Sequence, residues 1–312
     1  MGIVVIGASF VDVKGFPNDA YIPTGRNVGR IEYIHGGVAR NVVEDIANIE
    51  LRPTYVGIVD DTPLGIAVKE KLKDHKVNTD YVLTIKDGMG TWLAVFDNNG
   101  DVAGSISKRP NLLPLVQLLE YKGDEIIGNC DSIILEVDIN KEIVKKTLQL
   151  AKKYNKKIFA LVSNISLAAE RRDFIKHFDC FICNQAEAGI FFADDYTNDT
   201  PEELAEIIKN KVTKAQIPSM VVTMGEKGAI YATKDGATGI CPARKVHVKD
   251  TTGAGDAFCA GVSIGLTYGK SMPEAIQIGS FLAASVITSS ENVCPRFLPE
   301  EIGLDKKYNP VD

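Results

Sequence analysis

Asp250-Thr251-Thr252-Gly253-Ala254-Gly255-Asp256-Ala257-Phe258 is the stretch on which the reading of this chain turns. It follows a run, Lys245 to Val248, whose alternation predicts a strand, and it opens a helix of small residues, Ala257, Ala260, Gly261 and Gly265. Two glycines at a helix start let backbone N–H groups close around an anion, where the helix dipole also favours negative charge. A carboxylate one residue past that turn is out of place for plain anion binding, because like charges repel. It becomes useful if Asp256 takes a proton from a hydroxyl that attacks a phosphoryl group held by the turn. Taken alone, the same residues also describe a glycine-rich turn with an ordinary first-turn acid.

Outward from that turn, Gly36-Gly37-Val38-Ala39-Arg40-Asn41 places a Gly-Gly before a second helix, where backbone can approach a ligand. Asn41 lies about one turn in and offers both donor and acceptor, which suits a polyol or a sugar. Asp12 follows the first strand, Gly2 to Ile6, at the strand end where open α/β sheets bind ligands, and a carboxylate there can take two sugar hydroxyls. Asn184-Gln185-Ala186-Glu187 follows the strand Cys180 to Cys183. Asn184 could reach nucleotide phosphates and Glu187 a Mg²⁺ water shell, and the same pair also reads as a helix cap with Glu at the third position. Thr223-Met224-Gly225-Glu226-Lys227-Gly228 ends a further strand and supplies glycines, a hydroxyl and a lysine for phosphates or ribose, or else a plain hairpin turn. Gly7-Ala8-Ser9 does not complete G-x-G-x-x-G, so a nicotinamide site has little support.

Strand-like and helix-like runs alternate along the 312 residues, which predicts a mainly parallel sheet covered on both faces. Apolar residues at 38, 39, 42, 43, 46 and 49 mark a helix, and another is expected around Leu167 to His177. Segments 12–35 and 88–107 break the alternation. The second reads as a hairpin around Asp97-Asn98-Asn99-Gly100, and together they predict a small β-lid inserted into one domain spanning 1–312. The net charge of −6 argues against a nucleic-acid backbone as partner, and no apolar run is long enough to span a membrane. Six scattered cysteines form no zinc pattern; Cys180 and Cys183 would point to opposite faces of one strand. Reduced thiols and a start that enters a strand at once lead us to expect a cytoplasmic protein.

These motifs together resemble the ribokinase-like (PfkB) family of carbohydrate and nucleoside kinases, from Gly2 to Pro299. The resemblance implies an α/β three-layer sandwich with a β-lid and transfer of the ATP γ-phosphate to a hydroxyl, with Mg²⁺. It implies Asp256 as the base, Gly253, Ala254 and Gly255 as the anion hole, and Asp12, Gly36, Gly37, Arg40, Asn41 and Glu136 on the acceptor side. It also implies Asn184, Glu187, Thr223, Gly225 and Gly228 on the nucleotide side, and Asp250 and Thr252 in a loop that holds K⁺ in many members. Ser280 stands where relatives place a His or Asn near adenine. Within the family the chain most resembles pseudouridine kinases, through Arg40 before Asn41, Gly25-Arg26-Asn27-Val28-Gly29, and Trp92 to Asp97; Lys108-Arg109 stand where those carry a lid acid.

In-line transfer is then expected, with Asp12 and Asn41 orienting the acceptor and Asp256 an ionised, weak base of ordinary carboxylate pKa. A ribokinase, fructokinase or other nucleoside kinase would use the same residues. A catalytically silent sugar or nucleoside sensor is the reading from another class. Exposed lid strands such as Ile31 to Ile34 could pair two copies in a homodimer.

Overall fold

Short, almost wholly apolar runs such as Val4–Ile6 and Ser132–Glu136 are buried along their whole length, as strands covered on both faces must be. The computed structural model describes residues 2–305, so the expected limits of one domain at 1 and 312 lie outside the described residues. Numbered in chain order, the strands are β1 Val4–Ile6, β2 Phe10–Pro17, β3 Gly29–Gly36, β4 Thr54–Val59, β5 Val82–Thr84, β6 Gly90–Phe96, β7 Val102–Lys108, β8 Ser132–Glu136, β9 Lys157–Leu161, β10 Cys180–Asn184, β11 Ser219–Thr223, β12 Ala229–Thr233 and β13 Thr238–Cys241. The α-helices are α1 Val38–Asn48, α2 Pro63–Asp74, α3 Leu113–Gly128, α4 Lys141–Lys153, α5 Ile165–Ala169, α6 Arg172–Ile175, α7 Gln185–Phe192, α8 Pro201–Ala215, α9 Ala254–Thr267 and α10 Met272–Ile287.

Nine strands form one sheet in the order β13-β12-β11-β10-β9-β8-β1-β4-β5. It is parallel from β11 to β5, and β12 and β13 add an antiparallel edge. Alternate side chains divide the core in two. Val4, Ile6 and Ile133 pack with α3, α4, α7 and α8 on one face. Ile3, Val5 and Ile134 pack with α1, α2, α9 and α10 on the other. Cys183 falls in the first cluster and Cys180 in the second, as their spacing predicts, and all six cysteines are free and buried.

The two segments that broke the alternation form a single four-stranded sheet, β3-β2-β6-β7. Each is an antiparallel hairpin, and β2 joins β6 in parallel. They are therefore one structure and not two separate excursions. The Asn-Gly turn is as expected: Asp97 N–H reaches Asp101 O at 2.8 Å and Gly100 has φ 85°. Ile31 and Ile34 lie on β3, an edge strand.

Two expectations need correction, and one helix was not foreseen. Lys245 to Val248 is irregular backbone, because no strand lies beside it and Val246 and Val248 stay 40% and 55% exposed. The helix around Leu167 to His177 is two short pieces, α5 and α6, interrupted at Glu170 and Arg171. Helix α3 escaped the sequence reading because Pro114, Gly123 and Gly128 interrupt its pattern. Gly123 is where α4 comes close: a Cβ there would lie 2.5 Å from a Leu150 methyl.

Candidate active site

The turn before α9 is built as its glycines suggest. Gly253 caps the helix at φ 83°, and a Cβ there would sit 2.0 Å from Asn292 O, so no other residue fits. A Cβ on Gly255 would face open space, so the mouth of the turn is unobstructed. Ala254 N–H is directed at Thr251 O, 3.2 Å away. Ala254 therefore shapes the turn, and the amides of Gly255 and Asp256, which have no acceptor one turn back, remain for an anion. Thr252 N–H donates to Asp250 Oδ1 at 2.8 Å, and this hydrogen bond holds the Asp250 carboxyl below its ordinary range.

Helix α1 brings Asn41 against this turn, and Asn41 Nδ2 donates to Asp256 Oδ2 at 2.6 Å. Burial pushes the Asp256 carboxyl up to about 7, outweighing the Asn41 hydrogen bond and the Arg40 charge that pull it down. This corrects the expectation of a weak base with an ordinary carboxylate pKa. The sequence showed a helix N-terminus, which favours the anion, and could not show that the carboxylate is sunk among other groups.

On the acceptor side, Asp12 on β2 pairs with Ile34 of β3, and its carboxylate lies over Gly36, which pairs with Phe10. A Cβ on Gly36 would lie 2.7 Å from both Asp12 carboxylate oxygens, so glycine is what lets Asp12 stand there. Gly37 caps α1 at φ 95°. Glu136 ends β8, is 2% exposed, and accepts from Ala8 N–H at 2.8 Å. Burial raises its carboxyl, with Asp138 adding to the effect. Ser163 Oγ lies 2.9 Å from Glu136 and 2.6 Å from Asp138. Asp138 and Ser163 were not anticipated; their only signal was position at the ends of β8 and β9. Arg40 is not where expected. Its side chain is 1% exposed and turned into the protein, where Glu44, His35 O, Gly36 O and Asn41 Oδ1 accept from it. It cannot touch an acceptor.

A cavity of about 480 Å³ runs from Asp12, Gly37 and Glu136 under Trp92 and Ser107 of the small sheet to Arg109, Asn111 and Arg171. Trp92 is beside Asp12 and Ser107 in register, so the same sheet face closes over the cavity. Lys14 follows Asp12 by two residues on β2 and lies within electrostatic reach of both Asp12, whose carboxyl burial raises, and Asp250. It too was missed, since nothing local marks a strand lysine as inward-facing.

At the far side, Asn184 and Glu187 form a full capping box on α7, with 2.8 Å bonds in both directions. Both readings of this pair therefore concern the same atoms, and only one Glu187 oxygen is committed to the cap. Asn184 stands in register with Thr223 on β11, and Gly225 and Gly228 flank the short 3₁₀ turn that follows, with φ 57° and 99°. Ser280 is half-buried on α10. Burial raises the Glu187 carboxyl, with the charge of Asp138 adding to it, and Glu187 in turn adds to the rise at Asp256, so Glu187 lies within electrostatic reach of both. The three carboxylates do not come together as a preformed cluster of metal ligands among the described residues.

Residues 2–295 match the pfkB family carbohydrate kinases. The chain is 35% identical to guanosine-inosine kinase of Exiguobacterium acetylicum over 93% of this chain and 95% of the relative. It is 22% identical to pseudouridine kinase of Escherichia coli over 88% and 87% of the two chains. The structure of Arabidopsis thaliana ribokinase complexed with ribose and ATP superposes with a TM-score of 0.80 at 18% identity, covering 99% of each chain. The fold is thus the ribokinase-like sandwich. Extended over nearly the whole length and set on this fold, the two glycine-led motifs make this chain a member of the pfkB family of carbohydrate kinases, a phosphotransferase.

Proposed function

We propose that this enzyme transfers the γ-phosphate of ATP to the 5′-hydroxyl of a nucleoside of the guanosine or inosine type. The observation that carries this reading is the reach of the acceptor cavity, about 480 Å³ from Asp12 to Arg109 and Asn111, which is room for a base as well as a pentose. Trp92 offers a ring for stacking, and Arg109 and Asn111 bring N–H donors that suit a base carbonyl, which guanine and hypoxanthine carry and adenine lacks. The 35% identity to a guanosine-inosine kinase supports the same choice. Pseudouridine, whose base also presents carbonyls, is the second reading, supported by Arg40-Asn41 and the Trp92 strand and by the more distant pseudouridine kinase relative.

In this mechanism Asp12 and Asn41 orient the ribose, and the second Asn41 Nδ2 hydrogen is free for a hydroxyl. Asp256 takes the 5′-hydroxyl proton as the O5′–Pγ bond forms and the bond from Pγ to the β-phosphate oxygen breaks, releasing ADP. With its carboxyl near 7, Asp256 is a well-matched acceptor at neutral pH. The Gly255 and Asp256 amides face the charge on the transferring group. Asn184, Thr223, Gly225, Gly228 and Ser280 are assigned to the nucleotide. Glu187 and Asp138 would hold the water shell of Mg²⁺, which supplies neutralisation of phosphate charge when bound. Asp250 and Thr252 are assigned to a K⁺ loop.

The test is kcat/KM for ATP-dependent phosphorylation of inosine, guanosine, pseudouridine, adenosine, ribose and fructose, with and without K⁺. Inosine or guanosine is expected to exceed ribose by roughly 10² or more, because a free pentose leaves the base-end donors unpaired. Preference for pseudouridine would select the second reading, and ribose or fructose as the best acceptor would overturn both. Binding of nucleoside without turnover under any condition would point to a sensor.

A further inference from the structure

We propose that Arg40 is a positioning residue for phosphoryl transfer, fixing the Asn41 amide so that its NH₂ group faces Asp256. An amide can sit either way round, and the reversed Asn41 would set its oxygen against the Asp256 carboxylate. Two donors to its oxygen prevent this. Asn41 Oδ1 accepts from the Arg40 guanidinium and from Asn292 Nδ2 at 3.3 Å, which leaves Nδ2 to reach Asp256 at 2.6 Å.

Arg40 is itself held on every side. Glu44, one turn on, pairs with it, and Lys71 of α2 holds the other Glu44 oxygen at 2.8 Å. His35 O and Gly36 O, at the end of β3, accept from the same guanidinium, and Asn292 ties back to His35 O at 2.9 Å. The planar fork of an arginine can meet a carboxylate, two carbonyls and an amide at once; a lysine offers a single point. A buried Arg–Glu pair is a poor source of stability in itself, since desolvation offsets its attraction. Its place, one residue from the group that touches the base, gives it another use. The charged groups that face Asp256 are Asp12 of β2, Arg40 of α1 and Glu187 of α7, with Asp45 of α1, Glu136 of β8 and the Cys259 thiol also within its electrostatic reach. Arg40 is the cation among them. Losing it and the oriented N–H donor would both favour the protonated carboxyl.

The inference rests on Asp256 being the base, so Asp256→Asn is measured in parallel. Arg40→Met alone leaves the Glu44 oxygen that faced it without its partner, with Lys71 holding the other, and is expected to lower both Tm and kcat. The informative variant is Arg40→Met/Glu44→Met, which replaces the pair by apolar side chains of similar reach. Its Tm should recover, while kcat stays about tenfold or more below the parent and the acid limb of the kcat/KM profile moves up by roughly one pH unit. KM for ATP should hold. Arg40→Lys, which keeps the pair with Glu44 but not the fork, should show the same kinetic loss with Tm near the parent. Parental kcat and acid limb in either folded variant, with Asp256→Asn inactive, would overturn the positioning role alone. Near-parental turnover of Asp256→Asn would overturn the base reading and the inference with it.

Discussion

At the scale of single residues, the proposed role of Asp256 sets catalysis against stability. Its carboxyl stands near 7 in the folded chain because it is buried, against about 4 in an unfolded one. A carboxyl raised by folding stabilises the protein most at low pH, and that contribution is lost as pH rises through the folded value, here between about 4 and 7. Asp256→Asn removes the buried charge. It should therefore raise Tm at pH 8, with the gain fading at pH 4, while cutting kcat by roughly 10² or more. Calorimetry and turnover on one preparation check both. The parent kcat/KM, which reports the free enzyme, should fall on the acid side with a midpoint near 7. A midpoint near 4 would mean the carboxylate is better solvated than its surroundings imply. Asp256 and the glycines beside it were legible in the sequence, because each has a local reason for its residue type. Arg40 was not: it sits next to a ligand-facing residue, and only the packing of α1 decides that it points the other way.

At the scale of elements, the small sheet is two hairpins that meet through β2 and β6 and are clipped at their tips. Asn98 in the β6–β7 turn accepts from Tyr21 N–H at 2.6 Å and donates to Asp19 O at 2.8 Å, in the loop between β2 and β3. Asn98→Ala should free the 18–28 loop for proteolysis and raise nucleoside KM a few-fold, with little change in global Tm, because loop tips open independently of the core. A Tm loss as large as that of a core truncation would show instead that the tips hold the fold together. The hairpin turn was readable from Asn99-Gly100. The parallel β2–β6 pairing that makes one sheet was not, since register between distant strands leaves no local mark.

At the scale of the whole molecule, several acids are buried near one cleft. Asp12, Asp45, Glu136, Glu187 and Asp256 all have carboxyls raised mainly by desolvation, and Glu44, paired with Arg40 and Lys71, is lowered. Of these, Glu136 is held up to about 8 and Asp256 to about 7, so around neutrality the folded protein keeps protons there that the unfolded chain has lost, while His35 and His75, lowered mainly by burial, act in the opposite sense only up to the ordinary imidazole range. Tm of the ligand-free protein should fall from pH 6 to pH 8, the contribution of the raised acids being lost as pH climbs through their folded values. Flat or rising stability over that interval, measured by thermal denaturation, would contradict the account of these groups. Among the described residues, no helix is long and apolar enough to cross a membrane.

What the sequence determined by itself is what local chemistry imposes: the alternation that gives a parallel sheet, the turns only glycine can make, and the carboxylate set beside an anion-binding helix start. Period and backbone conformation are properties of neighbouring residues, so they survive in a one-dimensional reading. Tertiary structure alone decided that Lys245 to Val248 has no partner strand, that the Arg40 side chain turns into the protein behind Asn41, and that burial lifts the Asp256 carboxyl to about 7. Each depends on what surrounds a group in space, because pairing, side-chain direction and desolvation are set by how elements pack and not by the pattern of a single segment.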